Sequence, residues 1–184
     1  MIKKISLFVC TALALLAANE FSNRRAPSFS LPDVTMVQHD ILDSRGKVLI
    51  VEFMQTKCEK CQMLTKMIES KIKPKYGATV SIISIVVPPD NFDDVKKYIG
   101  VFKVTSPIVF DMGQVAGSYV KASPQKPAMF FPHMFLIDQK GMIRDDWQWQ
   151  APGAYPEIMA GEGLMREIDK LLAEAASSAA PKKK

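Results

Sequence analysis

Two cysteines separated by two residues, Cys58 and Cys61, are the side chains of this 184-residue sequence best suited to chemistry. The run VLIVEFM at positions 48–54 precedes them, and its apolar, β-branched character predicts a strand buried on both faces. After Cys61, apolar residues recur at spacings of three and four, which predicts a helix that ends at Lys73 and Pro74. Cys58 should therefore lie at the start of a helix, with Cys61 about one turn later on the same side.

The first turn of a helix favours a thiolate over a thiol, because its backbone N–H groups are unsatisfied and the macrodipole is positive there. Lys57 and Lys60 act in the same direction, whereas Glu59 opposes them. The spacing predicts Cys58 as the nucleophile that attacks a substrate disulfide, and Cys61 as the resolving cysteine that attacks the mixed disulfide so formed. This chemistry needs no cofactor beyond a redox-active disulfide between the two cysteines.

An isolated Cys-x-x-Cys pair can also be half of a zinc site. Zinc would need two further ligands, and the only histidines in the sequence are His39 and His133. The strand before the pair and the helix after it favour redox chemistry instead. The sequence therefore predicts no metal site.

The N-terminal segment has the composition of an export signal. Lys3 and Lys4 precede an apolar run that ends at Ala18. We predict that residues 1–18 are a cleaved signal peptide, with a retained N-terminal membrane anchor as the alternative. Cys10 would leave with the leader, and an exported protein with one close cysteine pair has no structural disulfide framework. The expected location is the periplasm or another extracytoplasmic compartment.

Composition and charge describe an ordinary soluble domain, with 48% apolar and 23% charged residues. The net charge of +5 comes from the lysines of the leader and of the C-terminal tail, so the body is about neutral and nucleic acid binding is not expected. We expect a linker at 19–26, one domain at 27–175 and a disordered basic tail at 176–184. Membrane contact is expected only through an uncleaved N-terminus.

The hydrophobic pattern predicts the other elements of the domain. Strands are expected at 79–87, 107–110, 134–137 and 142–149, and helices from 90 or 91 to Gly100, at 113–120 and across 164–172. Residues 27–43 are expected to form a hairpin ahead of the main sheet, and residues 121–131 and 151–161 to be loops. This order predicts an α/β fold in which helices cover both faces of a mixed sheet.

These motifs together resemble the thioredoxin superfamily, and in particular its extracytoplasmic TlpA/ResA-like branch, which is related to the AhpC/TSA proteins. The resemblance rests on the strand–Cys-x-x-Cys–helix unit, on APSFSLPD at 26–33, on SRGK at 44–47 and on FPHMFLID at 131–138. It covers about residues 27–175 and implies a thioredoxin-like fold: a central mixed β-sheet flanked by helices, with an N-terminal β-hairpin extension. The sequence departs from the branch at Lys57, where an aromatic residue is common, and at His133, where threonine is common.

The resemblance also implies roles for residues outside the cysteine pair. In thioredoxins an acid six residues before the first cysteine is buried beneath the second cysteine and moves its proton; here that residue is Glu52. The alternative is a solvated glutamate at a strand end. Phe131 and Pro132 match the cis-proline loop that binds extended substrate chain, the alternative being a trans proline that begins a strand. His133 is a further candidate for substrate contact, or else a histidine packed within its strand.

The sequence thus predicts a thiol–disulfide oxidoreductase outside the cytoplasm, with a reductant favoured over an oxidant. Its expected partners are protein thiol and disulfide substrates and an upstream membrane thiol reductant. Similar proteins serve cytochrome c biogenesis. One alternative is a copper metallochaperone that uses Cys58, Cys61 and His133, although Sco-like copper proteins usually have three residues between their cysteines. A peroxiredoxin-type peroxidase is disfavoured, because Gln55 and Val51 stand where such enzymes need Thr or Ser and Pro.

Overall fold

The computed structural model describes residues 21–125, 129–149 and 155–179. The predicted signal peptide lies outside the described residues. The strands are β1 (Arg24–Arg25), β2 (Ser30–Pro32), β3 (Gln38–Asp40), β4 (Val48–Met54), β5 (Val80–Val86), β6 (Ile108–Phe110), β7 (His133–Ile137) and β8 (Met142–Gln148). The helices are α1 (Glu59–Met67), which continues as a π-helical segment (Ile68–Ile72), α2 (Lys73–Tyr76), α3 (Phe92–Phe102), α4 (Gln114–Tyr119), α5 (Tyr155–Ala160) and α6 (Glu162–Ala179).

Six strands form a mixed sheet in the order β1-β8-β7-β4-β5-β6. The pairs β4–β5 and β5–β6 are parallel, because the connection within each pair crosses over through helical structure. Strands β7 and β8 are joined by a tight turn and are antiparallel. Strands β2 and β3 pair separately as an antiparallel hairpin. The predicted central mixed sheet with an N-terminal hairpin extension is confirmed.

Each face of the sheet carries its own core. Because side chains alternate along a strand, Val51 and Phe53 of β4 pack with Phe135 and Tyr119 on one face. Ile50 belongs to the other face, where the covering side chains come from α1, α5 and α6: Leu64, Tyr155, Ile158, Leu164, Ile168 and Leu171. The same alternation places Glu52 on the α1 face. The active-site strand is therefore covered on both sides, as its apolar sequence predicts.

The structure corrects the predicted end of the helix that follows the cysteines. Helical structure does not stop at Lys73 and Pro74 but continues to Tyr76. In the π-helical segment the Lys73 N–H bonds to the Ile68 carbonyl, five residues back. Pro74 then falls in the first turn of α2, where a missing N–H costs little. The proline therefore sits at a helical junction instead of a helix end.

Three further boundaries also differ from the sequence-based expectations. The predicted linker contains β1, which pairs with β8, and Phe21 before it is buried in the core. The predicted loop 151–161 contains α5, whose Ile158 is buried. Helix α6 continues to Ala179, so residues 176–179 of the predicted disordered tail are helical. Within the described residues, no helix has the length and apolar character needed to cross a membrane.

Candidate active site

The turn after β4 brings the two cysteines to the start of α1. Cys58 is the N-cap residue, and its Sγ accepts a hydrogen bond from the backbone N–H of Cys61 at 3.2 Å. Cys58 is half-buried, whereas Cys61 is buried beneath it, and both are free thiols. An accessible sulfur that accepts a helix N-terminal N–H has the surroundings of a nucleophile. The predicted positions of both cysteines are confirmed.

A side-chain network fixes the turn that precedes Cys58. Asp90 lies at the end of the loop that follows β5, and its carboxylate accepts the backbone N–H of Thr56 at 2.6 Å and the Thr56 hydroxyl at 2.7 Å. The Gln62 side chain donates to the Thr56 carbonyl at 2.9 Å. The sequence places Asp90 only at the predicted start of a helix, and the structure shows that Asn91 caps this helix, α3. Only the folded chain brings Asp90 to the turn.

The segment before β7 lies against the reactive sulfur. The peptide bond between Phe131 and Pro132 is cis, in agreement with the prediction for this proline. The Cys58 thiol donates a long hydrogen bond to the Phe131 carbonyl, with 3.8 Å between sulfur and oxygen. The Pro132 carbonyl accepts the backbone N–H of Trp149 at 3.1 Å, which ties this segment to the end of β8. The structure thus brings Cys58, Phe131 and Pro132 together.

Glu52 is fully buried on β4, so it is not a solvated strand-end glutamate. One carboxyl oxygen accepts a hydrogen bond from the Ser84 hydroxyl at 3.2 Å, and the other has no hydrogen-bond partner among the described residues. Burial raises the pKa of Glu52 from 4.5 to about 8, and the Ser84 hydrogen bond opposes that rise only in part. A carboxyl group that titrates near neutral pH can give and take protons under physiological conditions.

The surroundings of Cys61 disfavour its ionisation. Burial, and then the negative charge of a nearby ionised Glu52, raise the pKa of the Cys61 thiol far above its usual range. The charge effect shows that Glu52 and Cys61 lie within electrostatic reach of each other. Cys61 therefore needs a proton acceptor close by before it can attack a disulfide, and Glu52 is the candidate that this electrostatic effect identifies.

The structure does not bring His133 to the cysteines. Its ring is fully buried on the face opposite Glu52, where it stacks on Phe135 with 4.4 Å between centroids. Its Nε2 and the Asp146 carboxylate form a hydrogen bond of 2.9 Å. The predicted side-chain contact between His133 and substrate does not fit this position, because alternation along β7 turns the ring away from the site. Within the described residues no three His, Cys, Asp or Glu side chains are grouped to hold a metal ion, so the copper set that includes His133 does not form.

Three aromatic residues that sequence reasoning did not assign to the site lie around it. Tyr98 on α3 shares a hydrogen bond of 2.7 Å with the Thr65 hydroxyl of α1. The ammonium of Lys60, between the cysteines, lies 4.8 Å from the ring centroid of Trp149. Trp149 in turn meets Tyr155 edge-on, with centroids 5.5 Å apart. No local sequence signal marks these residues, because each reaches the site from a different element.

The fold and the cysteine pair define the class of thioredoxin-like thiol–disulfide oxidoreductases. The chain belongs to the AhpC/TSA family, whose model matches residues 23–146. It is 23% identical over 124 residues to thioredoxin-like protein YneN of Bacillus subtilis, covering 66% of this chain and 68% of that protein. It is 30% identical over 122 residues to thiol-disulfide oxidoreductase ResA of Geobacillus thermodenitrificans, covering 65% of this chain and 64% of ResA, slightly less than two thirds of that relative.

The fold is also similar to that of solved structures. A thiol:disulfide interchange protein of the thioredoxin family from Chlorobium tepidum superposes with a TM-score of 0.65 at 20% identity, covering 81% of this chain and 96% of that one. At this identity the likeness concerns the fold alone. It confirms the thioredoxin-like architecture that the sequence motifs imply.

Proposed function

We propose that this protein exchanges disulfides with protein substrates outside the cytoplasm and acts as a reductant. The observation that carries the proposal is the placement of Cys58. Its half-exposed sulfur caps α1, accepts the Cys61 N–H at 3.2 Å and lies above a buried second thiol. A thiol in this position can attack a disulfide from solution, and the second thiol is close enough to finish the reaction.

In the first step, the Cys58 thiolate attacks one sulfur of a substrate disulfide. A mixed disulfide forms, and the other substrate sulfur leaves as a thiolate. Cys61 then gives its proton to the Glu52 carboxylate and attacks the Cys58 sulfur. The bond between Cys58 and Cys61 forms, the second substrate sulfur leaves as a thiolate, and two electrons have passed to the substrate.

Phe131 and Pro132 are proposed to hold the substrate chain. The Phe131 carbonyl already lies 3.8 Å from the Cys58 sulfur, so backbone bound beside it would bring a disulfide to the nucleophile. The side chain of the preceding residue, Phe130, is 49% exposed and offers an apolar contact at the edge of the same segment. An extended, partly apolar polypeptide that carries the disulfide is the substrate that suits these surroundings.

The environment of Cys61 supports the reductant direction. A strongly oxidising pair is one whose reduced form is stabilised. Here burial and the charge of Glu52 both raise the pKa of Cys61, so the thiolate of the reduced pair gains no stabilisation at that sulfur. The predicted export signal supports an extracytoplasmic role, and the name of the relative, thiol-disulfide oxidoreductase ResA, supports disulfide exchange. In this role a membrane thiol reductant restores the dithiol.

The redox potential of the Cys58–Cys61 pair tests this proposal. We would equilibrate the protein in thiol–disulfide buffers, trap free thiols by alkylation and count them by mass spectrometry, with Cys61→Ser as the control that cannot close an internal disulfide. A value of roughly −270 mV is expected for a reductant, and a value of roughly −120 mV would overturn that direction. Failure to form an internal disulfide would overturn the oxidoreductase function altogether.

A further inference from the structure

Two buried polar atoms on the α1 face of the sheet make no hydrogen bond within residues 21–125, 129–149 and 155–179. They are the free carboxyl oxygen of Glu52 and the hydroxyl oxygen of Tyr155. A buried polar group without a partner is costly, by about 1–3 kcal/mol. Two such groups on the face of the sheet that α1 covers point to a function that the resting, reduced protein does not display.

The fold places the Tyr155 phenol over the same part of the sheet as Glu52. Tyr155 begins α5, which packs against α1 and β8, and its ring belongs to the core cluster of Met134 and Trp147. Met134 is the β7 residue paired with Glu52, and Trp147 is paired with Met134. Because residues paired across neighbouring strands share a face, these side chains form one row beneath α1 and α5.

Electrostatics also connect the phenol to the cysteines. Burial raises the pKa of Tyr155, and so does negative charge on Cys61, Cys58 and Glu52, in that order of effect. Tyr155 therefore keeps its proton throughout the reaction and can serve only as a hydrogen-bond donor to an anion. Tyr98 lies within reach of the same charges, but its hydroxyl is already engaged by Thr65.

We propose that Tyr155 is a positioning residue for the resolving step, in which its hydroxyl stabilises the negative charge that passes between Glu52 and Cys61. The hydroxyl hydrogen would turn toward that charge directly or through one water molecule. When Cys61 gives its proton to Glu52, the sulfur becomes an anion in an apolar pocket, and a donor there lowers the barrier. This inference rests on the proposed function, because it assigns a role within the same reaction.

The titratable groups around this charge come from several elements. Glu52 lies on β4, Cys58 and Cys61 lie at the start of α1, and Tyr98 faces them from α3. The ammonium of Lys60, above the Trp149 ring that contacts Tyr155, is a nearby positive charge. A change in the pH profile after removal of the Tyr155 hydroxyl must be judged against variants that leave all of these groups in place.

Tyr155→Phe removes the hydroxyl and keeps the packed ring, and Tyr119→Phe is a matched control. The Tyr119 hydroxyl is also buried without a hydrogen-bond partner among the described residues, but its ring belongs to the core on the opposite face of the sheet. A merely structural role predicts the same outcome for both variants. Thermal unfolding of each variant confirms that it folds.

The assay uses dithiobis(nitrobenzoate), an aromatic disulfide whose released thiolate absorbs visible light. All proteins carry Cys10→Ser, so that Cys58 and Cys61 are the only thiols. Attack by Cys58 releases the first thiolate, and resolution by Cys61 releases the second, so stopped-flow absorbance separates the two steps. Rates are measured from acid to alkaline pH.

Tyr155→Phe is expected to slow the second phase by about tenfold or more and to move its midpoint to higher pH, since the lost hydrogen bond is one to a charged group. The first phase should not change, and Tyr119→Phe should change neither phase. An unaltered second phase in Tyr155→Phe, or equal slowing in Tyr119→Phe, would overturn the inference. If the parent protein releases the second thiolate, the proposed function stands whatever the result for Tyr155→Phe. If the parent protein releases no second thiolate, the proposed function is overturned.

Discussion

A Glu52→Gln substitution should flatten the pH dependence of the stability of the reduced protein. The pKa of Glu52 is raised from 4.5 to about 8 in the folded state, because the carboxyl group is fully buried. The folded protein therefore keeps a proton that the unfolded chain releases at lower pH. This contribution to stability is fully present below pH 4.5, declines as the pH rises and is lost above about pH 8.

The size of the effect follows from the difference between the two pKa values. At about 1.4 kcal/mol per pH unit, a difference from 4.5 to about 8 corresponds to up to about 5 kcal/mol of unfolding free energy. Cys61 stays protonated over this pH range because its own pKa is raised. Glu52 therefore titrates while Cys61 is a neutral thiol. The loss is large beside the roughly 5–15 kcal/mol that stabilises a typical domain.

Urea unfolding of the reduced protein at a series of pH values measures this quantity. The parent protein should lose stability between acid and alkaline pH, whereas Glu52→Gln should lose several kcal/mol less over the same interval. Glu59→Gln is the matched control, because Glu59 is an exposed carboxylate seven residues further along the chain and should leave the profile of the parent unchanged. Parallel profiles for the parent and Glu52→Gln would refute the raised pKa and with it the acid–base role of Glu52.

Substitutions of the two cysteines and of the buried histidine test the roles assigned to these residues. Cys61→Ser should trap substrates on Cys58 as mixed disulfides that persist until a reductant is added, and mass spectrometry should find no such adduct on Cys58→Ser. Adducts on Cys61 instead would reverse the assigned roles. His133→Phe should lower the unfolding free energy by about 1–3 kcal/mol, because the buried Asp146 carboxylate loses a hydrogen bond, and should leave the rate of Cys58 with dithiobis(nitrobenzoate) unchanged. A large fall in that rate would place His133 in the site after all.

Local patterns were sufficient for much of the active-site element. The apolar run before the cysteines predicts β4, and its lack of alternation predicts burial on both faces, which the structure confirms. The prediction that Cys58 begins a helix depends only on the apolar period after it and is also confirmed. Such patterns are informative because strand and helix periods follow from backbone geometry alone. The cis peptide at Pro132 was predictable by resemblance and not from the pattern.

Two of the elements that differ from what the local sequence predicts are helical segments that belong to the packed structure. Pro74 predicts a helix end, but a π-helical segment realigns the hydrogen bonds and places the proline in a first turn. The segment at 151–161 predicts a loop by composition, yet Ile158 is buried against the sheet and residues 155–160 are helical. Tertiary burial of a few apolar side chains outweighs the weak local preference of short segments.

The sequence by itself determined the reactive pair, the strand and helix that present it, and the thioredoxin-like class. Only the tertiary structure decided which other side chains surround that pair. His133 is next to Pro132 in sequence but packs in the core on the face opposite Glu52. Tyr155 is 94 residues from Cys61 in sequence, yet negative charge on Cys61 raises the pKa of Tyr155 in the folded protein. The physical reason is that a side chain's face depends on strand register, and its neighbours depend on helix packing across the sheet. Neither the strand register nor the helix packing can be read from a single stretch of the chain.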